Sequence, residues 1–312
     1  MRRLAWLAVF GWWGCSAQMV LPRRTVEVKF QQGQLLTVEA SEFSSKVKVW
    51  GRDGSLRRVI EAGAGLRGLR RVELKDFALA GDGTLVTSIG AIFGMGVASR
   101  LLGMYPLKGE PSFVAMDDVV CMELAMEART GAWCLGPGLE DTLLHRVSGP
   151  AAGRWSLVPR KQVRLMANPG GETRPAYETG RAGAPQVMAG TDGGLLVWLP
   201  NAGLVMELSA IDGEARNWNV PLAMTGRSVI SFAASQGGAV YGLMPLRGPS
   251  DPELLTTRYG VVRLERRSGE WVRLPELGSY PRGSTLAGVD GERPVVWNRR
   301  TNVVSVLDVR PE

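Results

Sequence analysis

From Thr25 onward the chain alternates apolar and polar residues in short runs broken by Gly, Asp and Pro, and it shows no sustained helical period. The phrase that sets the pattern is Phe77 to Val86, two apolar runs joined by Asp82-Gly83. Asp-Gly between alternating hydrophobic residues is a strong hairpin signal, because the Gly supplies the positive φ that a tight turn needs. Val26 to Phe30 and Leu35 to Glu39 form a similar pair around Gly33, and Val47 to Trp50 and Leu56 to Ile60 form another around Asp53-Gly54. Together these two pairs predict a four-stranded antiparallel unit of ~40 residues.

Both pairs recur. The Phe77 hairpin reappears around Phe113 to Val120, Val187 to Trp198, Phe232 to Tyr241 and Leu286 to Trp297, each with a small second residue: Ala78, Ala115, Ala189, Ala233 and Ala287. The Asp53 type returns at Val205 to Trp218 and Val262 to Leu274, with a worn copy at Arg164 to Ala176. Units of ~40 to 50 residues built this way predict an all-β chain, a β-propeller of four-stranded antiparallel blades. Six blades fit best, with seven as the alternative. Two packed β-sandwiches joined near Pro169 to Pro185 compete, but the repeat runs through that linker. After Val303 to Val309 the last unit lacks a fourth strand, which a segment near Met19 to Leu21 or Val26 to Phe30 must supply.

Composition fits this reading. With 45% hydrophobic and 21% charged residues, the chain belongs with globular proteins, and 40 Gly and 18 Pro suit many turns. The excess of seven positive charges is scattered. Its dense points, Arg70-Arg71, Arg266-Arg267 and Arg299-Arg300, lie at turns or strand ends and read as solvated faces. Without interleaved exposed aromatics, no nucleic-acid partner is expected.

The first residues have a different character. Met1-Arg2-Arg3 and the apolar run Leu4 to Trp13 are too short to span a bilayer and read as an export signal over residues 1–17. Gly14-Cys15-Ser16 resembles the end of a bacterial lipoprotein signal, although Trp12 stands where an aliphatic residue is usual. The resemblance implies cleavage before Cys15 and lipidation there. Cleavage after Ala17 competes, since Cys15-Ser16-Ala17 is also a small-x-small site. Either route leaves a single propeller domain, residues 18–312, outside the cytoplasm. There an oxidising compartment permits a disulfide between Cys121 and Cys134, which flank the hairpin Val119 to Met126 and Gly131 to Leu135. A turn near Arg129 puts residue 124, not 121, opposite Cys134, so the bond needs a bulge or a longer loop.

Candidate chemistry is sparse. The one histidine, His145, lies in a strand and excludes multi-histidine metal sites. Asp53, Asp82, Asp192, Asp212 and Asp290 all precede Gly and read as turn residues. Asp117-Asp118, in a copy lacking the Gly, is the acidic pair better placed to face a ligand. Of the seven Trp after the signal, Trp133, Trp198, Trp218, Trp271 and Trp297 recur in phase, as wedges between blades do, and a sugar-stacking platform is the other reading.

By its repeats, the chain resembles six-bladed propellers of the NHL or YncE-like kind. It lacks the marks of WD40 blades and of BamB-like repeats. That resemblance implies a monomeric, non-catalytic scaffold whose loops bind a protein or peptide at the cell envelope, held to the outer membrane by lipid or free in the periplasm or medium. The alternatives are a lactonase-like hydrolase with calcium in its channel, and a purely structural envelope component. No catalytic residue and no other cofactor is expected.

Overall fold

The computed structural model describes residues 6–7, 15–39, 46–116, 121–126, 131–137, 142–151, 154–165, 186–191, 194–199, 203–209, 215–220, 231–235, 237–246 and 258–309. Two compact units emerge: Met1–Glu39, Lys48–Val59 and Trp218–Glu312 form one, and Ala40–Val47 and Ile60–Asn217 form the other.

The chain opens with β1 (Trp6–Leu7), β2 (Cys15–Val20), β3 (Thr25–Gln31), β4 (Gln34–Glu39), β5 (Lys46–Trp50) and β6 (Leu56–Glu61). The last four are the strands expected around Gly33 and Asp53-Gly54. Gly33 and Gly54 take the positive φ of 69° and 72° that the turns require.

The second unit holds three four-stranded antiparallel sheets. The first comprises β7 (Leu69–Leu79), β8 (Leu85–Phe93), β9 (Ala98–Tyr105) and β10 (Ser112–Ala115). Next come β11 (Glu123–Met126), β12 (Gly131–Pro137), β13 (Thr142–Ala151) and β14 (Arg154–Leu165), then β15 (Gln186–Thr191), β16 (Gly194–Leu199), β17 (Leu204–Ser209) and β18 (Ala215–Asn219). One expected hairpin falls elsewhere. Phe113 lies in β10, which pairs with β9 as the edge strand of its sheet, and Ala115 is exposed where Ala78 is fully buried. The worn copy at Arg164 to Ala176 lies mostly outside the described residues.

The first unit resumes with β19 (Ser231–Ala234), β20 (Val240–Pro245), β21 (Tyr259–Glu265), β22 (Glu270–Arg273) and the short β23 (Ser279–Tyr280), which pairs with β21. It ends with β24 (Ser284–Asp290), β25 (Arg293–Asn298) and β26 (Val303–Leu307). The missing fourth strand comes from the other end of the chain: β2 pairs antiparallel with β26, with Met19 opposite Val304 and Cys15 opposite Leu307. A single parallel bridge, Gly288 to Phe30, joins this meander to β3. A Cβ on Gly288 would sit 2.2 Å from the Phe30 carbonyl oxygen, so only Gly allows the two strands this close.

Successive antiparallel meanders, one of them closed by a strand from near the N-terminus, place the chain in the β-propeller class. Within each unit the cores form between neighbouring meanders. In the second unit Ala78, Val86, Leu102 and Met104 meet Leu124, Met126 and Ala132, while Trp133 and Leu135 meet Leu195 and Val197. In the first unit Phe30, Leu35 and Trp50 meet Val295, Trp297 and Val304. Each large side chain buried here contributes about 1.5–3 kcal/mol, which secures which strand face turns inward.

Candidate functional site

The turn acids divide into two kinds. Asp53 Oδ1 accepts the Ser55 hydroxyl at 2.6 Å and the Ser55 N–H at 3.1 Å, while Oδ2 pairs with Arg57 at 3.0 Å. The Ser55 hydroxyl, then its N–H, hold this exposed carboxyl below the usual range. Asp82 accepts the Thr84 N–H at 2.8 Å. Both serve their own turns. Asp192 and Asp212 lie outside the described residues.

Asp290 is different. It ends β24 with its side chain 5% exposed, and its two carboxylate oxygens are taken by Arg52 and Arg293. Arg293 also reaches Asp308 at 3.6 Å. Arg52 crosses from the β5–β6 turn and lies over the β3–β4 turn, its Nε 3.2 Å from where a Cβ on Gly33 would stand. Beside the same hairpin, the Tyr241 hydroxyl donates to the Glu292 carbonyl at 2.6 Å, and burial raises its phenol above the ordinary value. Three turns are thus fastened around one carboxylate. An acid neutralised by two guanidinium groups acts as an ionic clasp, and the two positive charges beside it disfavour a cation there.

A second buried polar seam lies in the other unit. Asp76, 2% exposed, follows a bulge in β7 and accepts the Leu124 N–H at 2.6 Å. The Ser88 hydroxyl donates to the Cys121 carbonyl at 2.5 Å. The two bonds fix β11 and the residues before it against β7 and β8. Leu124 stands opposite Cys134, the register that the hairpin spacing predicts. Cys121 precedes the strand and curls back, so that its Cα lies 5.3 Å from that of Cys134, a span that a disulfide bridges. Neither Asp76 nor Ser88 was singled out from the sequence. A carboxylate amid the apolar run ending β7 was the available signal.

Asp117 and Asp118 lie outside the described residues. The backbone of His145 pairs with Cys134 and Gln162 in the middle of its sheet, and that of Cys15 begins β2. Trp50, Trp133, Trp198, Trp218 and Trp297 are all under 9% exposed, which suits wedges and offers a sugar no platform, whereas Trp271 is partly exposed, lies 5.4 Å from the Phe232 ring and donates to the Asn219 carbonyl at 3.0 Å. Trp50 donates to the Thr37 hydroxyl at 2.9 Å, and Trp218 to the Arg266 carbonyl at 3.0 Å. Among the described residues, no three His, Cys, Asp or Glu gather as a metal site would need, and no helix is long and apolar enough to cross a membrane.

No family model and no curated protein matches the chain. Solved structures do, at low identity. A gluconolactonase from Xanthomonas campestris is 14% identical over 99% of this chain and 94% of its own, with a TM-score of 0.49. An uncharacterized Listeria monocytogenes protein is 11% identical over 100% and 97%, at 0.48. Regucalcin, a calcium-binding protein from Agrobacterium tumefaciens, is 11% identical over 93% and 92%, at 0.46. Likeness at this level assigns no residue of this chain a role.

Proposed function

We propose that the protein is an exported β-propeller scaffold, one domain of six blades over residues 18–312, anchored by lipid on Cys15 and binding a protein or peptide partner at the cell envelope. The observation that carries the reading is the clasp on Asp290. Among the described residues, the most buried of the repeated turn acids is spent on Arg52 and Arg293, and Asp53 and Asp82 are spent on their turns. Acids so used hold the scaffold together and leave function to its surfaces. The strand order supports six blades, because the nine-stranded sheet parts at Gly288 into β2-β26-β25-β24, with the two-residue β1 at its margin, and β3-β4-β5-β6.

Two measurements on the full chain expressed in a bacterium test this. Labelled palmitate is expected to enter the wild type and not Cys15→Ala; equal labelling of both would reject the anchor. Calcium is expected to leave the melting temperature unchanged. A calcium-dependent rise would replace the scaffold with the hydrolase.

A further inference from the structure

Three turns of the first unit meet at the end of β2-β26-β25-β24 that lies away from Cys15. Arg23 and Arg24 fill the centre of the turn in which the Thr25 N–H donates to the Pro22 carbonyl at 3.1 Å. Arg282 leads the turn closed by the Ser284 N–H on the Pro281 carbonyl at 3.2 Å. Arg299 and Arg300 lie in the β25–β26 connection, where Asn298 Oδ1 accepts the N–H groups of Arg300 at 2.9 Å and Thr301 at 3.1 Å.

The backbone ties these tips to one another. The Arg299 N–H donates to the Gly283 carbonyl at 3.1 Å, and the Leu21 N–H donates to the Asn302 carbonyl at 2.8 Å. The Arg300 side chain runs over Gly283, its Cγ 3.7 Å from where a Cβ there would stand. All five arginines are exposed, and none is ion-paired among the described residues. Nearby acids already have partners: Glu39, opposite Thr25, bonds Lys48 at 2.6 Å, and Glu27 faces Lys29 at 3.9 Å. The result is a cluster of exposed arginines on turns that the backbone ties together, whose like charges gain from a shared anion.

We infer that Arg23, Arg24, Arg282, Arg299 and Arg300 form a docking surface for a run of carboxylates, an acidic segment of the partner protein. This deepens the scaffold reading and rests on it. Two features select this occupant. Arg299 lies 5.2 Å above the ring of Trp297, which is 2% exposed, so a nucleic acid base finds no open face to stack on. Lipid on Cys15 would hold the opposite end of β2 to the bilayer, roughly 20 Å of strand away, and the arginines would face outward from it.

The test uses a labelled oligo-glutamate peptide and fluorescence anisotropy on the full chain. Wild type is expected to bind it in a salt-sensitive manner. The triple variant Arg23→Gln/Arg299→Gln/Arg300→Gln should bind about tenfold more weakly with an unchanged melting temperature. Arg282→Gln alone, at an exposed turn tip, should weaken binding by a smaller factor and serves if the triple variant folds poorly. The control Arg67→Gln/Arg70→Gln/Arg71→Gln removes the same charge from an exposed stretch of the other unit and should bind as wild type does. The inference is overturned if the patch variants bind normally or if the control loses as much. It also fails if phosphatidylglycerol vesicles or a single-stranded oligonucleotide bind more tightly than the peptide. Palmitate labelling of Cys15 is read separately, so loss of the patch and loss of the anchor are distinguishable.

Discussion

Gly288 and Gly83 show how different two glycines of one repeat can be. Gly83 has φ of +83° in the β7–β8 turn, and a Cβ there would meet Leu107 Cδ1 at 2.7 Å. Leu107 is 66% exposed and can swing aside, so the cost of a side chain is mostly the backbone's, about 1 kcal/mol. At Gly288 the obstacle is the Phe30 carbonyl, which cannot rotate away. Gly288→Ala is therefore expected to cost about 1–3 kcal/mol, more than Gly83→Ala, in the midpoint of urea unfolding. Equal midpoints for the two variants would mean that the bridge to Phe30 carries no stability. Legibility at this scale follows distance along the chain. Asp53 and Asp82 bond residues two positions away, and their turns could be read from the sequence. Asp290 also precedes a turn Gly, but its partner Arg52 is 238 residues away, and no local pattern announces that pair.

Elements were legible where both strands of a hairpin lie together in the sequence, and misread where pairing decides. Phe113-Val-Ala repeats the Phe77-Ala-Leu phrase in type, but β10 has β9 as its neighbour and became an edge. What a residue contributes to a strand depends on whether the strand is central or at the margin, and only pairing decides that, so the residues alone could not separate the cases. The β11–β12 hairpin shows the opposite. Its register was set by spacing, and the structure adds the backward curl that brings Cys121 to Cys134. If the exported protein forms this bond, closing a loop with a sequence separation of 13 is worth about 3 kcal/mol. Reduction, or Cys121→Ala/Cys134→Ala, should lower unfolding stability by that order, and thiol titration of the unreduced, unfolded protein should find neither cysteine free. Two reactive thiols would end the disulfide proposal.

For the whole molecule, each unit carries a buried tyrosine whose phenol is raised above its ordinary value of 10.0. Burial is the first cause at both Tyr105 and Tyr241; at Tyr105 the Gly63 N–H, 2.6 Å from the hydroxyl oxygen, offsets part of it. The folded state thus resists losing these protons, while the unfolded chain gives them up at the ordinary value. Their contribution is fully present below about pH 10 and is lost as pH rises through the folded values. Melting temperature should fall across that alkaline range, and Tyr105→Phe/Tyr241→Phe should flatten the fall; an identical profile for wild type and variant would refute the assignment.

The pairing of Val20 with Val303 and Cys15 with Leu307 also governs the order in which the molecule can be made. Residues near the N-terminus are synthesised first, and β2 pairs early only with the two-residue β1; its place in the last sheet waits for β26. A contact of such sequence separation closes late and slowly. If the chain is exported as proposed, this sheet stays open while the chain crosses the membrane, although the local meanders need no such wait. The strand that completes the last sheet doubles as a timer, leaving that sheet open until β26 has been made.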